Sequence, residues 1–234
     1  MKISSLLLLL GLLFLPNSNA FAQMKKFQRF YVGGGLGYAY VPLDDYNDYN
    51  AKFVLLNDPT GSRGLKPFET MDNFKPFTLD IYFRDSKEFG FRFFTEYYSS
   101  EISTKTASGN STFTRSLTSL DFGGQFLWFL TEDYVGPQLL LGFGGALMLP
   151  VIRETNSVPS RKDEFEYDNI SGGATVSIIG IIPVYEKIHI QAEAAYRFSR
   201  SSTFFEVNTN GQLQTDISLT GYIVKAGILY QITY

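Results

Sequence analysis

The segment Phe77-Thr78-Leu79-Asp80-Ile81-Tyr82-Phe83-Arg84 sets apolar residues at its odd positions against mostly polar ones at its even positions. Successive side chains of a strand point to opposite faces, so this octet predicts a β-strand with one greasy and one polar face. The same period of two recurs outward from it. Phe89, Phe91, Phe93 and Tyr97 oppose Gly90, Arg92, Phe94, Glu96 and Tyr98, and Leu120, Phe122, Phe126 and Trp128 oppose Ser119, Asp121, Gly123 and Gln125. Val135, Leu139, Leu141, Phe143 and Leu147 oppose Gly136, Gln138, Gly142 and Gly144. Ile170, Ala174, Val176 and Ile178 oppose Ser171, Gly173, Thr175 and Ser177; Ile188, Ile190, Ala192, Ala194, Tyr196 and Phe198 oppose His189, Gln191, Glu193, Arg197 and Ser199. A first strand (Phe30, Val32, Leu36, Tyr38, Tyr40) and a last one (Tyr222 to Tyr234) bring the total to about eight, an even number that suits an antiparallel up-and-down transmembrane β-barrel.

The connections alternate between tight and long. Short links fall at Asp85 to Lys87, Thr131 to Asp133 and Pro183 to Lys187; long ones run from Pro42 to Asn73, Ser100 to Phe113, Pro150 to Asp168 and Arg200 to Asp216. Outer-membrane barrels sort their loops in this way, with short periplasmic turns and longer outer loops, which predicts periplasmic termini and a bacterial outer-membrane location. The first long loop carries Asp44, Asp45, Tyr46, Asp48 and Asn50; the third carries Arg153, Glu154, Arg161, Lys162, Asp163, Glu164 and Glu166. Mixed charges of this kind predict solvated surface loops.

Period two does not say which face is outside, because a soluble lipocalin-like barrel also alternates, with its apolar face inward. The polar face here is rich in small residues (Gly33, Gly35, Gly37, Ala39, Gly142, Gly144), as a narrow interior requires. Its acids, Asp80, Glu96, Asp121 and Glu193, balance the bases Arg84, Arg92, Arg197 and Lys225. Unpaired charges in a confined lumen cost several kcal/mol each, so balance predicts an interior ion-pair plug, with His189 on the same face. Tyr97, Tyr98, Trp128, Tyr134, Tyr196, Tyr222 and Tyr234 fall near predicted strand ends, where aromatic girdles belong.

Upstream of the first strand, Lys2, an apolar run from Leu6 to Leu15, and Ala20-Phe21-Ala22 have the order of a secretory signal peptide. The run is too short to span a membrane as a helix. The expected division is a signal peptide over 1–22 and a barrel domain over 23–234. The chain of 234 residues holds no cysteine, one histidine, 22 Phe, 15 Tyr and 21 Gly. A formal charge of -3, or -4 after loss of Lys2, gives no reason to expect nucleic acid as a partner.

The last strand places Val224, Ala226, Ile228, Tyr230, Ile232 and Tyr234 on one face and ends on an aromatic residue. This ending resembles the insertion signal of Gram-negative outer-membrane barrels, here carried by Tyr230, Ile232 and Tyr234. Phe30-Tyr31-Val32-Gly33-Gly34-Gly35-Leu36-Gly37-Tyr38 is similar to the opening strand of OmpA-like and OmpW-like barrels. The resemblance implies insertion by the barrel-assembly machinery and a surround of outer-membrane lipid and lipopolysaccharide; the long outer loops are the place where any extracellular ligand is expected. The sequence departs from full OmpA proteins after the last strand, where the peptidoglycan-binding domain is expected to be missing.

No P-loop, calcium loop or serine-hydrolase elbow is present, and Tyr38 stands where a G-x-G-x-x-G motif needs its last glycine. Asn110-Ser111-Thr112 and Asn169-Ile170-Ser171 match the glycosylation sequon by chance. Lipid A-modifying barrels pair a histidine with a serine, but His189 sits in Ile188-His189-Ile190-Gln191, near a predicted short turn. The leading expectation is a non-enzymatic barrel, without cofactor or metal, that serves envelope integrity or surface binding. A narrow channel or lateral path for small or apolar solutes is the alternative, followed by a lipid A-modifying enzyme centred on His189.

Overall fold

A computed structural model describes residues 29–131, 136–199, 202–207 and 212–232. The expected signal peptide, Tyr134, Val135 and Tyr234 lie outside the described residues. In chain order the elements are β1 (Arg29–Tyr40), α1 (Asp44–Asn57), β2 (Asn73–Phe74), β3 (Phe77–Arg84), β4 (Phe89–Lys105), β5 (Thr112–Phe129) and β6 (Gln138–Val158). There follow β7 (Arg161–Asp168), β8 (Ser171–Tyr185), β9 (Ile188–Ser199), β10 (Ser202–Glu206), β11 (Gln212–Ile217) and β12 (Gly221–Ile232).

Eight of the strands close on one another. β1, β3, β4, β5, β6, β8, β9 and β12 are each antiparallel to the next, and β12 pairs back onto β1 with Val32 opposite Tyr230 and Tyr40 opposite Tyr222. Closure removes the unpaired edges that an open sheet would expose. β9 and β12 have twelve residues each; at about 3.3 Å per residue and a tilt near 40° they cross the roughly 25 Å apolar band of a membrane barrel. Even positions of β1 and odd positions of β3 and β4 face out, and Leu36, Leu79, Phe93, Phe143, Ile178 and Val224 form an exposed apolar belt.

The long connections differ from the expected solvated loops. β4 and β5 stay paired from Phe89↔Trp128 up to Lys105↔Thr112, so only residues 106–111 turn, with Gly109 at φ 71°. β6 likewise runs past the belt to Val158 and folds back as β7, and β10 with β11 makes a further hairpin joined to β7. Strand pairing continues through these stretches wherever a neighbour supplies the ladder. Pro42 to Asn73 holds a helix rather than a simple loop: α1 has Asp44 and Asp45 in its first turn, where carboxylates favour the helix dipole.

The interior is layered. At the end bearing the tight turns, Tyr31, Leu127, Leu140, Ile179, Ile181 and Leu229 form an apolar cluster. At the hairpin end, Leu43 and Tyr46 of the first connection join Met71, Leu117, Ile152, Phe204 and Leu213 in a second one. The inward face is therefore not uniformly polar. A narrow barrel is filled by side chains, and away from its charges apolar ones fill it best.

Candidate functional site

Between the two apolar layers lies an ionic one. Asp80 comes from β3, Arg92 and Glu96 from β4, Asp121 from β5, Glu193 and Arg197 from β9 and Lys225 from β12. All are buried. They occupy inward positions because each stands an even number of residues from its inward neighbours on its own strand.

Arg92 bridges two carboxylates: its Nε donates to Asp80 Oδ1 at 2.8 Å and its Nη1 to Glu193 Oε1 at 2.9 Å. The same Nη1 reaches Gln125 Oε1 at 2.9 Å. Arg197 makes a second bridge, from Nη2 to Glu96 Oε2 at 2.7 Å and from Nη1 to Asp121. Lys225 joins the two halves, pairing with Glu96 and, at 2.9 Å, with Glu193 Oε2. Neutral groups add to the shell. Gln191 donates to Asp80 at 2.8 Å and accepts from the Tyr82 hydroxyl at 2.8 Å, while Ser119 donates to Asp121 at 2.5 Å. Arg92 also lies 5.0 Å from the Phe94 ring centroid. Buried charges of this density are tolerable only when paired and hydrogen-bonded.

Two expected lumen residues stand apart. Arg84 lies at the turn end, donating to the backbone carbonyls of Ser86 and Lys87 and, at 3.1 Å, to Gln138 Oε1, with its guanidinium 4.0 Å over the Phe129 ring. His189 is buried at the same end, edge-on to Tyr31 with ring centroids 5.1 Å apart, and its Nδ1 has no hydrogen-bond partner among the described residues. Of the expected insertion signal, Tyr230 is exposed on the outer face opposite Val32, and Ile232 lies opposite Phe30. Tyr98, expected in a girdle, points inward instead, accepting from Arg197 at 2.5 Å and donating to Glu96. It is an even-numbered residue of β4, so the strand's own alternation carries it to the lumen. Tyr97, Trp128 and Tyr222 remain outward and exposed.

A third polar group was not legible in the sequence. Glu154, on β6 beyond the belt, accepts from the hydroxyls of Tyr46 at 3.3 Å and Tyr49 at 3.4 Å, both on α1, and its Oε1 lies 3.5 Å from Arg115 Nε. Arg115 is wholly buried, with its guanidinium 4.6 Å over the Phe53 ring and Nη1 bonded to Asn156 at 2.9 Å. Burial pushes the Glu154 carboxyl above its ordinary range, against the opposing pull of Arg115, and pushes both tyrosine hydroxyls up as well. The group fastens α1 over the barrel mouth. Glu154 is expected in a solvated loop, and only the helix that covers it and Arg115 makes the group special.

Among the described residues no group of three or more His, Asp or Glu side chains could hold a metal ion. A small void of about 20 Å³ lies beside Arg197 and Tyr98.

No protein-family profile and no curated protein sequence matches the chain. Its structure is similar to that of the outer-membrane protein OprG from Pseudomonas aeruginosa, at TM-score 0.58 and 11% identity over 88% of this chain and 96% of OprG. It is also similar, more loosely, to Ail of Yersinia pestis in complex with the heparin analogue sucrose octasulfate (TM-score 0.46, 10% identity, 87% of this chain and 98% of Ail). Neisserial surface protein A aligns at TM-score 0.46 and 13% identity, over 86% of this chain and 96% of that protein. The fold is that of small bacterial outer-membrane barrels, an assignment that rests on the first of these.

Proposed function

We propose that the chain is an integral outer-membrane protein of a Gram-negative bacterium whose closed barrel carries a rigid binding platform at the cell surface. The termini and tight turns lie on the periplasmic side, and α1 with the β4–β5, β6–β7 and β10–β11 hairpins faces outward. The apolar belt would meet lipid and the outer rim lipopolysaccharide.

The observation that carries the reading is the sealed ionic layer. Arg92 and Arg197 each reach from β4 or β9 to carboxylates across the lumen, with apolar layers above and below. A lumen filled in this way argues against bulk diffusion, since open porins use about 16 to 18 strands. It equally favours a scaffold over a catalyst. The structured outer half, with a helix pinned by Glu154 rather than a loose loop, suits a surface whose shape must persist.

An epitope inserted at Ser108–Gly109 tests both halves. Intact cells should bind the antibody, and the purified protein should give flat current traces in planar bilayers. An epitope reached only after cell lysis, or a steady unit conductance, would overturn the reading.

A further inference from the structure

Beside α1, the outer part of the molecule holds a cleft of about 380 Å³, within the range of small-molecule sites. One wall is a single helix face, Asp45, Tyr49, Lys52 and Leu56, spaced for one side of an α-helix. The other wall is Tyr167 of β7 with Leu213 and Thr215 of β11. Tyr46 and Asn50, on an adjoining side of the helix, are buried.

The aromatic part of this cleft is held in advance. Tyr49 stacks on Tyr46, with centroids 5.8 Å apart and planes at 16°, and its hydroxyl is tied to Glu154. Little rotamer freedom remains to be lost when something lies against its remaining face. Leu56, 81% exposed, extends the apolar surface at the lip. Around these surfaces stand the Asp45 carboxylate, the Lys52 ammonium and the Thr215 hydroxyl. Opposite charges on one rim repel neither sign and attract neither. A polyanion would meet Asp45, and an acyl chain would bury Asp45 and Lys52 without partners.

A ligand that fits has apolar ring faces and an edge of groups that both donate and accept hydrogen bonds. We infer that the cleft binds an uncharged sugar unit of a glycan, its ring faces against Tyr49 and Tyr167 and its hydroxyls bonded by Asp45, Lys52 and Thr215. This inference rests on the proposal that α1 faces the cell exterior, but its test does not.

The refolded barrel in detergent micelles should show saturation-transfer NMR signals with maltotriose or with chitotriose. Lys52→Ala and Leu56→Ala, both at exposed positions of α1, should each weaken the titrated binding by fivefold or more while leaving unfolding unchanged. Leu55→Ala, next to the cleft but not lining it, should bind as the parent does. No signal with either neutral trisaccharide, equal binding by all variants, or stronger binding of a heparin fragment would overturn the inference. The surface-epitope result would stand or fall separately.

Discussion

Arg92 on β4 and Glu193 on β9 meet at 2.9 Å across the barrel, on strands separated by three others in either direction around it. Both side chains are essentially inaccessible to water. Together with Asp80, Glu96, Asp121, Arg197 and Lys225, the pair belongs to a layer of four carboxylates and three bases, one charge short of neutral.

Removing one member of such a layer strands the rest. Arg92→Met is expected to destabilise the folded barrel by about 3–5 kcal/mol, the usual cost of breaking a buried pair. Adding Glu193→Gln returns the layer to its original formal charge and should recover part of that loss. Urea unfolding in micelles, followed by tryptophan fluorescence from the lone Trp128, measures both. Equal stability of the parent and Arg92→Met would mean that the layer is wet.

Gly123 makes room for a neighbour. A Cβ built there would stand 2.1 Å from Phe94 Cζ, and Phe94 is the ring beneath Arg92. Gly123→Ala is therefore expected to displace the ring and cost about 1–3 kcal/mol, as overpacking does. The same substitution at Gly61, where a Cβ meets nothing within 4 Å, should act only through its φ of 68°. Thermal unfolding of the two variants separates crowding from backbone strain.

The docking of α1 should depend on pH through Glu154. Its carboxyl is raised above the ordinary 4.5 when buried, so the docked state holds a proton that the undocked state releases more readily. That contribution is fully present below the ordinary value and is lost as pH rises through the raised one. Cleavage after Lys52 by a protease active across this range should grow faster with rising pH in the parent than in Glu154→Gln. Parallel profiles would remove Glu154 from the account.

Much of the barrel was legible because period two survives in every barrel strand. Phe77 to Arg84 shows its faces without help from any neighbour, and the inward set containing Asp80, Arg92 and Lys225 follows by counting. The outer half was less legible. Ser100 to Phe113 is expected to be a loop, yet β4 runs on to Lys105 and β5 already begins at Thr112, because the mostly polar alternation there carries few greasy residues to mark it. The helix was hidden for a different reason. Asp44–Asn57 has no continuous apolar stripe, and its buried residues are a tyrosine and an asparagine. The Glu154 group depends on that helix and could not be found before it.

Deleting residues 42–72 removes the upper cover but leaves the ionic layer and the apolar layer below it. The shortened barrel should remain non-conducting in planar bilayers. Conductance gained by this deletion alone would assign closure to α1 rather than to the charges.

The central claim is a closed barrel that spans a membrane with its charges inside. Envelope fractionation followed by gel electrophoresis of the detergent-extracted protein, boiled and unboiled, tests it most directly. The expected result is an outer-membrane protein whose band shifts on boiling. A soluble periplasmic protein with one band under both conditions would contradict it.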